Sequence, residues 1–205
     1  MVRCLNEKGS PSAYGEASLE GYYSKLANAY SHLVGNRSPT LLTVDCANGV
    51  GTQAMEALVK VMSLAQFKAA LTNTQVDNVK QLNQDCGADY VKLKQSAPLG
   101  NSMTALGKYA SLDGDADRIV YYFTSDVFHL LDGDKIALLA TEFLMELVAK
   151  SKADLSVGLV QTAYANGSST AYAKNVLVCL YLCHIIESAR SLHPNGRQAL
   201  APCSA

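Results

Sequence analysis

The period of the apolar positions changes along the chain, and each change marks an element. From Ser18 to Val34, Leu19, Tyr22, Tyr23, Leu26, Ala29, Tyr30 and Leu33 recur every three or four residues, the spacing of one helix face. Ser18 stands before them as an N-cap and Gly35 after them as a stop. Residues 1–17 mix Gly, Ser, Pro and charge and read as an irregular lead-in. Asn36-Arg37-Ser38-Pro39 breaks the chain. Thr40 to Cys46 is then a short β-rich apolar run, the pattern of a buried strand. Asn48-Gly49-Val50-Gly51 turns into a helix over Thr52–Met62. Strand, glycine turn and helix open an α/β unit. The turn lacks the third spaced glycine of a dinucleotide fingerprint, so it reads as a tight connection.

Residues 66–107 are less periodic. They read as a short polar helix, a strand near Ala88–Leu93, and an exposed loop from Gln95 to Lys108 that holds Pro98 and two glycines. Tyr109–Leu112 is a strand end, Asp113–Arg118 a loop, and Ile119–Phe123 a second strand. Asp132-Gly133-Asp134 precedes a helix over Lys135–Lys150, with Ile136, Leu139, Phe143 and Leu147 on one face. Val157–Thr162 is a strand, and Asn166-Gly167-Ser168-Ser169 opens a helix toward Leu177. Strand and helix thus alternate from residue 40, which predicts the α/β class. No short internal repeat appears.

Charge and cysteine usage narrow the function classes. The 205 residues carry 17 Lys+Arg and 18 Asp+Glu, a net charge of −1, so no basic face for nucleic acid is expected. Charged residues make up 17% and apolar residues 49%, which excludes a disordered chain. The longest apolar stretch, Val176–Ile186, is too short for a bilayer. The start has no apolar core of a signal peptide, so a cytoplasmic location with reduced thiols is expected. Cys179, Cys183, His184 and Cys203 lack zinc-site spacing. The sequons at Asn36 and Asn166 carry no weight in a cytoplasmic chain.

The chemistry concentrates in one loop. Asp113, Asp115 and Asp117 alternate between two apolar strands. Carboxylates so close raise each other's pKa unless a counter-charge is present. A hard divalent cation such as Mg²⁺ supplies one, and Gly114 and Ala116 let the loop curl around it. Arg118 adds a fork suited to a phosphate oxygen. A metal and an arginine beside a phosphate are the apparatus of phosphoryl transfer. An EF-hand counted from Asp113 would need Gly where Arg118 stands and Glu where Thr124 stands, so the Ca²⁺-loop reading fails. A dehalogenase-type phosphatase motif fails too, because Asp117 occupies its Thr/Val position. Asp132 and Asp134 read as carboxylates at a helix N-terminus. His129 reads as a loop residue, with no nucleophile to activate.

Leu112-Asp113-Gly114-Asp115-Ala116-Asp117-Arg118-Ile119-Val120-Tyr121-Tyr122 resembles the metal loop of the α-D-phosphohexomutases. Val44–Gly51, Cys86–Lys92, Leu131–Ala137 and Val160–Thr170 narrow the resemblance to the phosphoacetylglucosamine mutase branch. The resemblance implies a phosphohexomutase-type domain with a mixed sheet and an incomplete second α/β domain after it. Its expected divisions are a lead-in and linker helix over 1–35, domain II over 36–131, partial domain III over 132–177 and a divergent tail over 178–205. It implies interconversion of N-acetylglucosamine 6-phosphate and N-acetylglucosamine 1-phosphate, toward UDP-N-acetylglucosamine, through a phosphoserine and Mg²⁺. Asp113, Asp115 and Asp117 would be the metal ligands, with Arg118 beside the transferring phosphate.

The departures shape a further expectation. The family's serine loop, of the type Thr-Ala-Ser-His-Asn-Pro, has no match in the chain. Ser31-His32-Leu33 falls in the first helix, and Ser191–Asn195 has similar letters in the wrong order. The sugar-reading loop of the type Glu-Ala-Asn-Gly-His is also missing. The chain alone is therefore expected to be inactive. The alternative role is that of a non-catalytic truncated isoform, binding metal or associating through surfaces that truncation uncovers.

Overall fold

The computed structural model describes residues 18–35, 38, 41–62, 67–105, 107–152, 155, 157–162 and 164–177, together with the backbone of 180–184. Two compact units are present, one ending at Leu130 and the other beginning at Leu131.

The first unit opens with helix α1 (Leu19–Val34), whose start is capped by Ser18 Oγ accepting from the Gly21 N–H at 3.0 Å. Gly35, at φ +57°, ends it. Strands β1 (Leu41–Asp45), β2 (Lys68–Thr72), β3 (Lys108–Leu112), β4 (Ile119–Thr124) and β5 (Phe128–Leu131) form one sheet in the order β2-β1-β3-β4-β5. β1 pairs in parallel with β2 and with β3, and β3 pairs antiparallel with β4. Helices α2 (Gly51–Met62) and α3 (Gly87–Lys94) lie in the connections of the parallel strands. The sheet is therefore mixed, as the resemblance implied.

Apolar burial fixes these elements. Val44, Cys46 and Leu112 form one core group, with Met55 of α2 packed on it. Ala88 and Val91 of α3 join Tyr109, Val120, Tyr122 and Leu130 in another, where the Tyr109 and Tyr122 rings stack at 5.6 Å. Ala27 of α1 and Met62 of α2 centre a third, with Tyr30, Leu58 and Phe67 around them. The C-terminal ends of β1, β2 and β3 fall together on one edge, where ligand crevices form in open α/β sheets.

Three expectations for this unit need correction. Residues 88–93 are helical, within α3, and not a strand. Gly87, Ala88 and Val91 bury one helical face, with Asp89 in the first turn and Lys92 and Lys94 in the last. β2 was missed because Lys-Ala-Ala-Leu-Thr has little intrinsic strand preference; pairing with β1 makes it one. His129 belongs to β5, not a loop, and its ring stacks on Phe123 at 4.6 Å.

The second unit begins with α4 (Gly133–Ser151), capped by Asp132 Oδ1 accepting from the Lys135 N–H at 3.3 Å. β6 (Gly158–Thr162) pairs in parallel with β7 (Leu180–His184). Between them, α5 (Gly167–Tyr172) continues as one π-helical turn over Ala173–Leu177. β7 was not foreseen in the apolar stretch from Val176. Leu139, Phe143 and Leu147, expected on one face of α4, are all about half exposed. No helix among the described residues is long and apolar enough to cross a membrane. The lead-in 1–17, the Asn36 sequon, residues 191–195, and the side chains of Cys179, Cys183, His184 and Cys203 lie outside the described residues.

Candidate metal centre

β3 and β4 are antiparallel neighbours, so the loop between them must reverse within Asp113–Arg118. The Asp113 N–H donates to Arg118 O at 3.3 Å, and the Ala116 N–H donates to Asp113 O at 3.1 Å. Ala116 takes the left-handed conformation, φ +59°. This curl brings one carboxylate oxygen from each of Asp113, Asp115 and Asp117 within 4.8 Å of the others. Asp113 is buried, while Asp115 and Asp117 are exposed, so the cluster has a fixed floor and an open face.

Arg118 organises the floor. Its backbone N–H donates to Asp113 Oδ1 at 3.0 Å, and its Nε–H donates to Oδ2 at 2.8 Å. Its Nε is 3.6 Å from Asp117 Oδ1. The two terminal nitrogens fork onto Asp89 of α3, one of them at 3.1 Å. Burial alone would push the Asp113 carboxyl up, but the Arg118 N–H and guanidinium outweigh it and hold the carboxyl below its usual range. Asp117 is pushed up, first by the neighbouring charge of Asp115. Arg118 is held still further above its ordinary range, first by its bonds to Asp89. An all-oxygen donor set in which Arg118 only partly offsets the repulsion between Asp115 and Asp117 fits a hard divalent cation.

The loop is seated by close backbone contact. The Val50 N–H donates to Gly114 O at 3.1 Å, and a Cβ on Gly49 would overlap the Gly114 carbonyl. A Cβ on Gly114 would lie 2.7 Å from Asn83 Nδ2. Beneath the loop, Asp45 at the end of β1 is almost fully buried. Its Oδ2 accepts from Gly87 N and from Ser111 Oγ, each at 2.7 Å. Its Oδ1 accepts from Asn73 Nδ2 at 2.8 Å and from Ala47 N at 3.0 Å. One side chain thus ties together the ends of β1, β2 and β3 and the start of α3.

The structure brings the four residues singled out in the loop together. Sequence reasoning missed Asp45 and Asp89. The available signal for Asp45 was a lone carboxylate ending an apolar strand; for Asp89, a carboxylate just after a Gly-Ala helix start. The second acidic pair does not form a cluster. Asp132 caps α4, and Asp134 Oδ2 accepts from the Asn166 N–H at 3.0 Å. Asn166 caps α5, its Oδ1 accepting from the Ser168 N–H at 2.9 Å.

Comparison with known proteins gives this geometry a family. Residues 15–120 match the family profile described as phosphoacetylglucosamine mutase AMG1, domain II, and residues 132–197 match domain III of the same protein. The second match runs past residue 177, the expected end of the partial domain, into the tail read as divergent. Phosphoacetylglucosamine mutase 2 of Schizosaccharomyces pombe is 44% identical over 185 residues, covering 89% of this chain and 34% of its own. The Homo sapiens phosphoacetylglucosamine mutase is also 44% identical over 185 residues, covering 86% of this chain and 33% of its own. The chain thus spans about a third of the length of these curated relatives. The crystal structure of Aspergillus fumigatus N-acetylphosphoglucosamine mutase in complex with GlcNAc-6P and magnesium superposes with a TM-score of 0.76 at 46% identity, over 85% of this chain and 36% of that one. An N-acetylglucosamine-phosphate mutase in its substrate complex gives 0.77 at 38% identity, over 86% and 34%. With the domain II profile alone spanning more than half of its residues, this chain belongs to the phosphoacetylglucosamine mutase family.

Proposed function

We propose that the chain carries the metal-binding module of a phosphoacetylglucosamine mutase, which interconverts N-acetylglucosamine 6-phosphate and N-acetylglucosamine 1-phosphate toward UDP-N-acetylglucosamine. The observation that carries this reading is the convergence of Asp113, Asp115 and Asp117 within 4.8 Å, with Arg118 hydrogen-bonded to Asp113. The relative that binds GlcNAc-6P and magnesium supports the same assignment. Asp113, Asp115 and Asp117 would hold Mg²⁺. When bound, the ion neutralises charge on a phosphoryl group in transfer. Asp113, fixed by Arg118, sets the position of the cluster. Asp115 and Asp117 supply the exposed oxygens, and the accessible side of Arg118 meets a phosphate oxygen.

The proposed divisions are a linker helix up to residue 35, domain II over 36–131 and a partial domain III from 132, whose profile match and β6–β7 pairing carry it past residue 177. The location is cytoplasmic. Phosphoenzyme chemistry needs a nucleophile held in line with the sugar. No serine loop of the family type stands within these 205 residues. Turnover therefore requires that loop from outside them, and the 205 residues alone bind metal without catalysing. Association through uncovered apolar surface is the expected behaviour of the isolated chain.

The test is a mutase assay on the purified chain with N-acetylglucosamine 6-phosphate, Mg²⁺ and a sugar bisphosphate primer, with Asp115→Asn as control. No turnover is expected from a folded chain. Turnover lost in Asp115→Asn would keep the metal assignment and overturn the inactivity. Turnover kept in Asp115→Asn would remove the metal assignment as well.

A further inference from the structure

The Arg118 guanidinium is shared by three carboxylates, and one of them lies outside the acidic loop. Nε serves Asp113 at 2.8 Å and stands 3.6 Å from Asp117. The terminal fork is occupied by both oxygens of Asp89. Asp89 comes from the first turn of α3, far along the chain from the loop.

Both backbones in this pairing are fixed. α3 is anchored by Ala88 and Val91 in the core and by the Gly87 N–H bonded to Asp45 at 2.7 Å. The Arg118 backbone is held by Asp113 in both directions, at 3.0 and 3.3 Å. The pairing therefore decides where the guanidinium points, not where the chain runs.

Global stability does not explain the pair. The side chains of Arg118 and Asp89 are 56% and 62% exposed, and exposed ion pairs contribute little. The guanidinium is, however, a permanent cation with five donors shaped for carboxylates. With its fork unengaged it would turn onto the open carboxylates of its own loop, Asp117, 3.6 Å from Nε, and Asp115 beside it. There it would take the oxygens that a divalent ion needs.

We propose that Asp89 is a positioning residue that holds the Arg118 fork away from Asp115 and Asp117 and so keeps their oxygens open to a divalent cation. The proposal rests on the metal-binding reading of the loop given above. Among the described residues, both oxygens of Asp89 accept from Arg118, and Asp89 acts through it.

The test measures Mn²⁺ binding to the full 205-residue chain by the electron paramagnetic resonance of free Mn²⁺, with a thermal melt of each variant. Asp89→Asn is expected to weaken Mn²⁺ roughly tenfold, as contacting residues couple, while the melting temperature stays nearly unchanged. Asp89→Asn with Arg118→Gln is expected to bind Mn²⁺ several-fold more tightly than Asp89→Asn alone, because the competing cation is gone, while staying below the parent, because Asp113 also loses its Nε bond. Asp89→Asn with Lys94→Gln restores the same net charge without touching Arg118, and is expected to stay weak.

Unchanged affinity in Asp89→Asn would overturn the proposal and leave the metal site standing. Equal recovery with Lys94→Gln would overturn it in favour of a simple charge effect. A collapsed melt that Arg118→Gln does not rescue would overturn it in favour of a structural role. A folded parent chain that binds no Mn²⁺ would remove the metal reading, and this proposal with it.

Discussion

The buried carboxylate of Asp45 receives the backbone N–H of Gly87 at 2.7 Å, so the end of strand β1 carries the start of helix α3. A helix start leaves N–H groups unpaired and favours negative charge beside it. Asp45 meets both needs while also holding Ser111, Ala47 and Asn73. Two residues beyond Ser111 stands Asp113, so the same carboxylate supports the start of the acidic loop.

Asp45→Asn keeps the shape but turns one acceptor oxygen into a donor that faces N–H and O–H groups. Unmet buried partners cost about 1–3 kcal/mol each. The variant should lose about 2–4 kcal/mol, read as a lower urea midpoint at unchanged slope. A midpoint equal to the parent's would show that the four bonds are dispensable.

Gly49→Ala tests the close approach of two backbones. The added Cβ would meet the Gly114 carbonyl and carbon, which cannot rotate away as a side-chain tip can. The loop must shift or the turn must open. Both Mn²⁺ affinity and thermal stability should fall, with a stability loss of about 1–3 kcal/mol, as for other overpacked sites. Gly133→Ala, at a position with open space around it, is the control and should do neither.

Asp115→Asn separates metal binding from folding. Asp115 is exposed, and its charge is the leading cause of the raised Asp117 carboxyl. Removing it relieves repulsion in the metal-free loop and deletes one of the proposed ligands. Stability without metal should hold or rise by a few tenths of a kcal/mol, as surface charge changes do. Mn²⁺ affinity should drop at least tenfold, measured by titration calorimetry. A stability loss without an affinity loss would contradict the assignment.

Alkaline pH should unfold the chain through its buried thiols. Burial pushes Cys46 and Cys86 each from about 9 up to about 11, and Tyr122 up to about 12. A group raised in the folded state contributes stability that is complete below its unfolded pKa and is lost as pH rises through its folded pKa. The window therefore opens near pH 9 and extends past pH 11. Each thiol contributes on the order of 2 kcal/mol to that loss. The urea midpoint should be flat from pH 7.5 to 8.5 and fall steeply by pH 10.5. Slow labelling of the two thiols at pH 8 should accelerate over the same window. A flat midpoint across that range would show that neither thiol is held protonated by the fold.

What could be read along the chain was whatever depends on neighbours in sequence. Helical spacing from Leu19 to Leu33 gave α1, the apolar run gave β1, and the long stripe from Ile136 gave α4. The acidic cluster was legible because all three carboxylates and Arg118 sit in one six-residue loop. α3 was misread because Ala88, Tyr90 and Val91 fit either period. The Asp45 bond and burial against Tyr109 decide it, and both come from distant residues. β2 and β7 carry the same lesson, since each becomes a strand by pairing with a partner, β1 or β6.

The sequence by itself determined that an acidic loop with a following arginine lies between two strands, and hence which cation chemistry is available. Only the tertiary structure decided how that arginine is used. Its fork is claimed by Asp89 and its Nε by Asp113, because parallel pairing of β1 with β3 and the Asp45 bond to α3 bring those elements to one edge of the sheet. A spacing rule fixes which groups share a loop. The direction of a long, rotatable charged side chain is set by the carboxylates that non-local strand pairing places around it.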